Sequence, residues 1–238
     1  MIRALLFDYG GTLDTCGVHW FKMLRDVWER ASICPENQLA RDAYVYAERK
    51  LSEPGVVDAE DDFRDLLIKK LRLELAYLRE HGCPFPAGVS PETLSAHLAD
   101  ELDARVQRNL QTVRPMLRQF RKHYKILLVS NFYGNLPAVL ARYGLNLLFD
   151  EVLESAAVGL RKPEPALWQL AVSATGCQPG ECLVIGDSLK NDIIPAASLG
   201  CRTIWLNPEL EKTPSESHIS PDFMVCNYQE LERVVASL

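Results

Sequence analysis

The chain has 238 residues, a formal net charge of −6, 47% hydrophobic and 24% charged residues, values that suit one large domain or a core domain carrying an inserted subdomain. The acidic balance argues against a nucleic-acid surface, which needs clustered Lys and Arg to displace counterions. No window approaches the roughly 18 consecutive apolar residues of a membrane span. Seven scattered cysteines (16, 34, 83, 177, 182, 201 and 226) without a CxxC pair read as reduced thiols, and no signal-peptide pattern opens the chain, so a soluble cytoplasmic protein is expected.

In chain order, the first strand-length apolar run is 4–7, ended by Asp8 and followed by a Gly-Gly turn in FDYGGTLD. Trp20, Leu24 and Trp28 recur at helical spacing. Phe63, Leu66, Leu67, Lys70-Leu71, Leu75 and Leu78 predict one long amphipathic helix. Leu94, Leu98, Leu102, Val106 and Leu110 predict another, opened by Ser90 as N-cap and Pro91 as first helical residue. SEPG (52–55) and HGCPFPAG (81–88) read as turns, and ERKLSE (48–53) as a solvated charge cluster. Further strand-length runs fall at 126–129, 151–153, 182–185, 203–206 and 223–225. Between them, Leu136, Val139, Leu140 and Tyr143, then Leu167, Leu170 and Ala171, then Ile193, Ile194 and Ala197 show helical periodicity. Continuous apolar strands alternating with helices predict an α/β fold, a doubly wound parallel sheet covered on both faces. Residues 1–15 and 113–238 are assigned to that core, and 16–112 to an α-helical insert.

Ligands of such sheets bind outside the carboxyl ends of the strands. That rule points to Asp8, Ser130-Asn131 and Gly186-Asp187. Four stretches carry the polar groups: Asp8 with Thr12, Ser130 in ILLVSN, Lys162 in GLRKPEP, and Asp187 with Asp192 in VIGDSLKND. Each has a plainer explanation when taken alone. SN is turn chemistry, KPEP starts a helix with Pro163 or Pro165 in its first turn, and Asp187 or Ser188 caps the next one. Their joint occurrence, in this order on this strand pattern, favours a single site.

The four stretches resemble the motifs of the haloacid dehalogenase-like hydrolase superfamily, in the branch with a helical cap after the first motif. The resemblance implies a Rossmann-like core plus cap, with Asp8 as nucleophile, Ser130 as the hydroxyl bonded to the transferring phosphoryl group, and Lys162 balancing charge. It implies a Mg2+ site made by Asp8, the Gly10 carbonyl, Asp187 and Asp192, and phosphate contacts from Gly11, Thr12, Ser130, Asn131 and Lys162. The expected partner is a small phosphorylated molecule, with neither nucleic acid nor membrane involved; oligomeric state is left open. Physically, a carboxylate repels a phosphoryl group unless cations intervene, which hard Mg2+ and Lys162 would provide. Ser130 and the backbone N–H groups of the Gly10–Thr12 turn are expected to add neutral donors.

In phosphatases of the resembled family, the residue two after the nucleophile is usually a second aspartate acting as general acid and base. Here it is Gly10. Glycine keeps the carbonyl that would ligate metal, and what is lost is proton transfer, worth roughly 10²–10⁴ in rate. Another residue or a metal-bound water would have to stand in, with Asp14 and residues of the helical insert such as His19 as candidates. Three readings follow. The first is a phosphohydrolase working through an aspartyl-phosphate at Asp8, either slower or suited to a good leaving group such as an acyl or enol phosphate. The second is a phosphonate or C–halogen hydrolase, and the third a non-catalytic phosphoryl-binding protein. The intact GDSLKND counts against the C–halogen branch, which works without magnesium. The phosphonate branch uses a cap lysine, and nothing in the sequence around Lys22, Lys50, Lys69 or Lys70 marks one as desolvated. Tyr9 and the tryptophans at 20, 28, 168 and 205 are expected to pack, and the five histidines lack metal-ligand spacing.

Overall fold

The apolar runs form strands β1 (Ala4–Phe7), β2 (Lys125–Ser130), β3 (Glu151–Glu154), β4 (Cys182–Gly186), β5 (Arg202–Leu206) and β6 (Phe223–Val225) in the computed structural model, which describes residues 1–209 and 220–238. They make one parallel sheet in the order β3-β2-β1-β4-β5-β6. The chain builds outward from β1 through β2 and β3, then returns to the other side of β1 with β4. That reversal is a topological switch point, where side chains beyond the strand ends face an open crevice. Register sharpens the placement: Phe7 pairs with both Leu128 and Ile185, so Asp8, Ser130 and Asp187 emerge from neighbouring strand ends.

Both sheet faces are covered, which is why the central strands read as unbroken apolar runs rather than alternating ones. On one face Leu6, Leu127, Val129 and Val184 pack with Leu167, Trp168, Ala171 and Val172 of a helix at Pro165–Thr175. On the other, Phe7 stacks on Phe120 at 6.4 Å.

The chain divides into two compact units. One comprises Met1–His19, Arg108–Phe132 and Tyr143–Leu238; the other comprises Trp20–Gln107 and Tyr133–Arg142. The helices are α1 (Trp20–Arg30), α2 (Asn37–Leu51), α3 (Phe63–Glu80), α4 (Pro91–Phe120), α5 (Leu136–Arg142), α6 (Ser155–Val158), α7 (Pro165–Thr175), α8 (Ile194–Ser198) and α9 (Tyr228–Ala236). Ser90 accepts the Thr93 N–H and so caps α4. That helix runs through Pro115 to Phe120, beyond the periodic stretch read from the sequence. The segment Tyr133–Arg142 falls in the helical unit, whereas the sequence assignment placed it in the core. Its polar groups explain the difference. Arg142 pairs with Asp62 and Asp103, Asn135 donates to the Asp61 carbonyl, and the Tyr133 hydroxyl donates to Glu48.

The sequence pattern missed α2 and α9. The core face of α2 is Ala40, Ala43, Ala47 and Leu51, too small in side chain to stand out as an amphipathic stripe. Helix α9 carried readable signals, an N-cap Asn227 that accepts the Glu230 N–H and buried Tyr228, Leu231 and Val235.

Two sequence expectations about charge are corrected inside the helical unit. Glu48, read as solvated, pairs with Lys70, and Lys70 is buried at 6% exposure. Lys70 lies 3.5 Å from Glu74 on the same helix and 4.4 Å above the Tyr44 ring. The reason is that α2 and α3 pack on each other, which removes the lysine from water and leaves ion pairing as its compensation. Glu74 is fully buried and neither of its oxygens is hydrogen-bonded. Burial pushes its carboxyl up to about 8, with Lys70 opposing and Glu48 reinforcing the shift.

A carboxyl with a raised folded-state value takes up a proton on folding between its unfolded and folded values. Stability should therefore fall as pH rises from about 4.5 towards about 8, with a slope of at most about 1.4 kcal/mol per pH unit from this one group. Glu74→Gln should remove that component, so the stability gap between variant and parent should widen in the variant's favour across that window. Denaturant melts at several pH values would measure it, and a gap constant with pH would refute the assignment.

Candidate active site

Asp8 is the first residue beyond β1, and its N–H still bonds to the Ile185 carbonyl of β4 at 2.9 Å. The residue is 6% exposed. One carboxylate oxygen lies 2.6 Å from Lys162 Nζ, and the other accepts from the Thr12 hydroxyl at 3.0 Å. Lys162 Nζ also lies 2.8 Å from Asp192 Oδ1. A single buried ammonium thus bridges the first-strand acid and an acid 30 residues further on in sequence. Asp192 is held in turn by the Ser188 N–H at 3.1 Å. It lies on a single π-helical turn, Leu189–Ile193, capped by the Ser188 hydroxyl.

Asp187 completes the group. Carboxylate oxygens of Asp8, Asp187 and Asp192 all lie within 4.8 Å of one another. The Thr12 hydroxyl is 3.2 Å from Asp187 Oδ1 and accepts the Asp187 N–H at 3.0 Å. The Trp205 indole N–H donates to the Asp187 carbonyl at 2.7 Å. With one hydroxyl proton, Thr12 serves Asp8 or Asp187 at a given moment.

The electrostatics follow from burial. Desolvation pushes the Asp187 carboxyl well above the usual carboxylate range, and Asp8, Asp192 and Asp14 add repulsion. Desolvation likewise raises Asp192, to about 6, against the opposing pull of Lys162. Burial would lower the Lys162 ammonium, but Asp192 and Asp8 beside it hold it above its ordinary value. Crowded carboxylate oxygens with a deficit of positive charge suit a hard divalent cation such as Mg2+, so the residues present fit that ion.

Other expected phosphate contacts prove differently employed. The Gly11 N–H donates to Asp14 Oδ1 at 2.7 Å, and the Thr12 N–H reaches the Tyr9 carbonyl at 3.2 Å. The Gly11 and Thr12 amides thus close the loop on itself, where the sequence reading held them open for an anion. Asn131 spends both ends of its carboxamide on Lys162, donating to the carbonyl at 3.0 Å and accepting the N–H at 2.9 Å. Ser130 is 1% exposed, and its hydroxyl makes one contact, at 3.5 Å to the Asn131 carbonyl. That is the far limit of a hydrogen bond, so its proton is still available to a ligand.

The two candidate stand-ins for the missing acid separate. Asp14 is fully buried and committed to the Gly11 amide. His19 is exposed and lines a cavity of about 210 Å³ together with Asp187, Ser188, Trp205 and Asn207. Sequence reasoning missed Tyr228, whose buried hydroxyl lies 2.9 Å from the Thr12 carbonyl and 2.8 Å from the Leu13 carbonyl. It ties helix α9 to the loop that follows Asp8, a pairing across more than 200 residues with no local signal.

Comparison with known proteins places these features in context. The family model described as a haloacid dehalogenase-like hydrolase matches residues 2–200. Human N-acylneuraminate-9-phosphatase is 28% identical over 132 residues, 54% of this chain and 52% of that protein; the chain thus spans about half the length of this relative. Glyceraldehyde 3-phosphate phosphatase of Methanopyrus kandleri is 26% identical, covering 100% of this chain and 99% of that one. Among solved structures, L-2-haloacid dehalogenase from Xanthobacter autotrophicus covers 100% of both chains at a TM-score of 0.61 and 20% identity, a likeness of fold.

Glycines 10 and 11 make a direct test of the loop. A Cβ at Gly10 would meet nothing within 4 Å, whereas one at Gly11 would sit 2.4 Å from Asp187 Oδ2, on a backbone with φ +99°. Gly11→Ala should cost more than about 1 kcal/mol of stability, and Gly10→Ala should stay within about 0.5 kcal/mol of the parent. Thermal or denaturant melts giving equal losses would contradict this geometry.

Proposed function

This chain belongs to the haloacid dehalogenase-like hydrolase family, and on that premise we propose that it is a Mg2+-dependent phosphohydrolase. It acts on a small phosphorylated metabolite through covalent catalysis at Asp8. The observation that carries this reading is the Lys162 ammonium set 2.6 Å from Asp8 and 2.8 Å from Asp192, with Asp187 beside them. The relatives named as phosphatases support the same class of chemistry.

Asp8, Asp187, Asp192 and the Gly10 carbonyl would hold Mg2+, which when bound screens a carboxylate nucleophile from an incoming phosphoryl group. Thr12 and Lys162 orient the two oxygens of Asp8. Ser130 has a hydroxyl proton to give to a phosphoryl oxygen, a neutral donor that adds no repulsion. Attack by Asp8 forms a carboxylate–phosphorus bond and breaks the bond to the leaving oxygen. Water then cleaves the aspartyl-phosphate, regenerating Asp8 and releasing phosphate. The leaving oxygen needs a proton unless its anion is already stable, and residue 10 has no side chain to supply one. Acyl and enol phosphates are therefore the favoured substrates.

A phosphonate-cleaving reading would require a lysine available for a Schiff base. The buried lysine of the helical unit, Lys70, is committed to Glu48 and Glu74, which weighs against it.

Purified protein with Mg2+ should hydrolyse acetyl phosphate or p-nitrophenyl phosphate, and Asp8→Asn should abolish the activity. Turnover unchanged in Asp8→Asn would refute the mechanism, and phosphate binding without turnover on a broad panel would favour a binding protein. Removing Mg2+ with a chelator should silence the parent enzyme. Because the space beyond Gly10 is open, Gly10→Asp should raise turnover of alkyl phosphates, by up to roughly 10²–10⁴ if proton transfer limits them. Acetyl phosphate should gain much less; equal gains would mean that protonation of the leaving group is not what Gly10 removes.

A further inference from the structure

Lys162 carries the central charge of the site, yet it belongs to neither strand nor helix. It lies in the stretch between α6 and α7, where no ladder of backbone hydrogen bonds fixes it. Two side chains from elsewhere do. Asn131, the first residue after β2, brackets the Lys162 peptide by donating to its carbonyl at 3.0 Å and accepting its N–H at 2.9 Å. This matched pair replaces the bonds a strand neighbour would make. Trp168 on α7 is fully buried, with its indole face 4.6 Å from Lys162 Nζ. Its N–H donates to the carbonyl of Asn191 at 3.0 Å. Asn191 immediately precedes Asp192, the second acid that Lys162 touches. One rigid ring therefore sets the ammonium on its face and the acid's backbone at its edge.

Resting on the reading above, we propose that Asn131 and Trp168 are positioning residues that act through Lys162, Asn131 on its backbone and Trp168 on its charge. This replaces two sequence expectations, a phosphate contact for Asn131 and plain packing for Trp168. The Asn131 carboxamide retains one further N–H, so direct phosphate contact makes a competing claim on the same residue. The two claims differ in one measurable respect. A residue acting through Lys162 has nothing left to do once the lysine is gone, whereas a substrate contact still counts.

The test is a double-mutant cycle on the full chain with acetyl phosphate and Mg2+, using Asn131→Ala, Lys162→Ala and the pair. Asn131→Ala should lower kcat roughly 10- to 100-fold, the cost of a misplaced charged group, with KM within about threefold of the parent. In the Lys162→Ala background the same change should add no further loss. Losses that multiply would make Asn131 a substrate contact, and an Asn131→Ala enzyme with parental kcat would give it no role; either overturns the proposal. Affinity for inorganic phosphate on the same four proteins supplies a second cycle if Lys162→Ala turnover is too slow to follow. Asn131→Asp keeps the acceptor for the Lys162 N–H and should recover part of the loss, which also covers an alanine variant that fails to fold. Trp168→Phe keeps a ring face but loses the N–H, so it should retain more activity than Trp168→Leu; equal losses would overturn the role given to the indole. Parental turnover in Asp8→Asn would sink the functional reading itself. A dead Asp8→Asn with multiplying losses would sink only this inference.

Discussion

One ammonium group holds the candidate site together. Lys162 is nearly excluded from water and lies within 2.8 Å of two carboxylates that arrive from different parts of the chain. Burying such charges is costly, and their mutual attraction offsets that cost only when geometry and hydrogen bonding are good. The arrangement leaves a third acid, Asp187, without a matching cation of its own, and burial drives its carboxyl well above the ordinary range. Crowded acids with that imbalance suit a hard divalent cation, the basis of the phosphohydrolase reading proposed above. The parallel sheet serves this one constraint, because the reversal at β1 sets the ends of β1, β2 and β4 side by side.

Around that ion pair, each functional group is held by a residue from another stretch of the chain. Thr12 receives the Asp187 amide, Trp205 holds the Asp187 carbonyl, Trp168 holds the turn that carries Asp192, and Tyr228 reaches back to Thr12 and Leu13. Polar networks of this kind polarise and constrain one another, so single deletions do not report independent contributions. Tyr228 lies beyond residue 200, where the family match ends. The C-terminal helix is therefore part of the scaffold of this particular site.

The helical unit solves a related problem differently. Lys70 sits between Glu48 and Glu74, so buried opposite charges appear there too. The excess acid is met by a proton on Glu74 rather than by a cation. The same physics of desolvated carboxylates thus gives a pH-dependent element of stability in one unit and a carboxylate cluster suited to a cation in the other.

Much of the fold was legible in local pattern. Unbroken apolar runs of strand length and intervening helical periodicity are properties of neighbouring residues, and among the described residues all six strands fell where those runs predict them. The residues gathered around Asp8 were also legible, because each closes a strand or occupies a Pro- or Gly-rich loop. Less readable were α2, whose core face is alanine, and the membership of Tyr133–Arg142, which depends on pairs such as Arg142 with Asp62 and Asp103. The jobs of individual polar atoms were not readable at all. Composition shows that Asn131 can bond to something, and only the folded chain decides that its partner is the Lys162 peptide. Gly10 shows the same division. By itself the sequence determined that no side chain transfers a proton there, and tertiary structure decided that the space beyond it is open. Side-chain type is a local property, but hydrogen-bond partners and empty volume are set by segments distant in the chain, which meet only on folding.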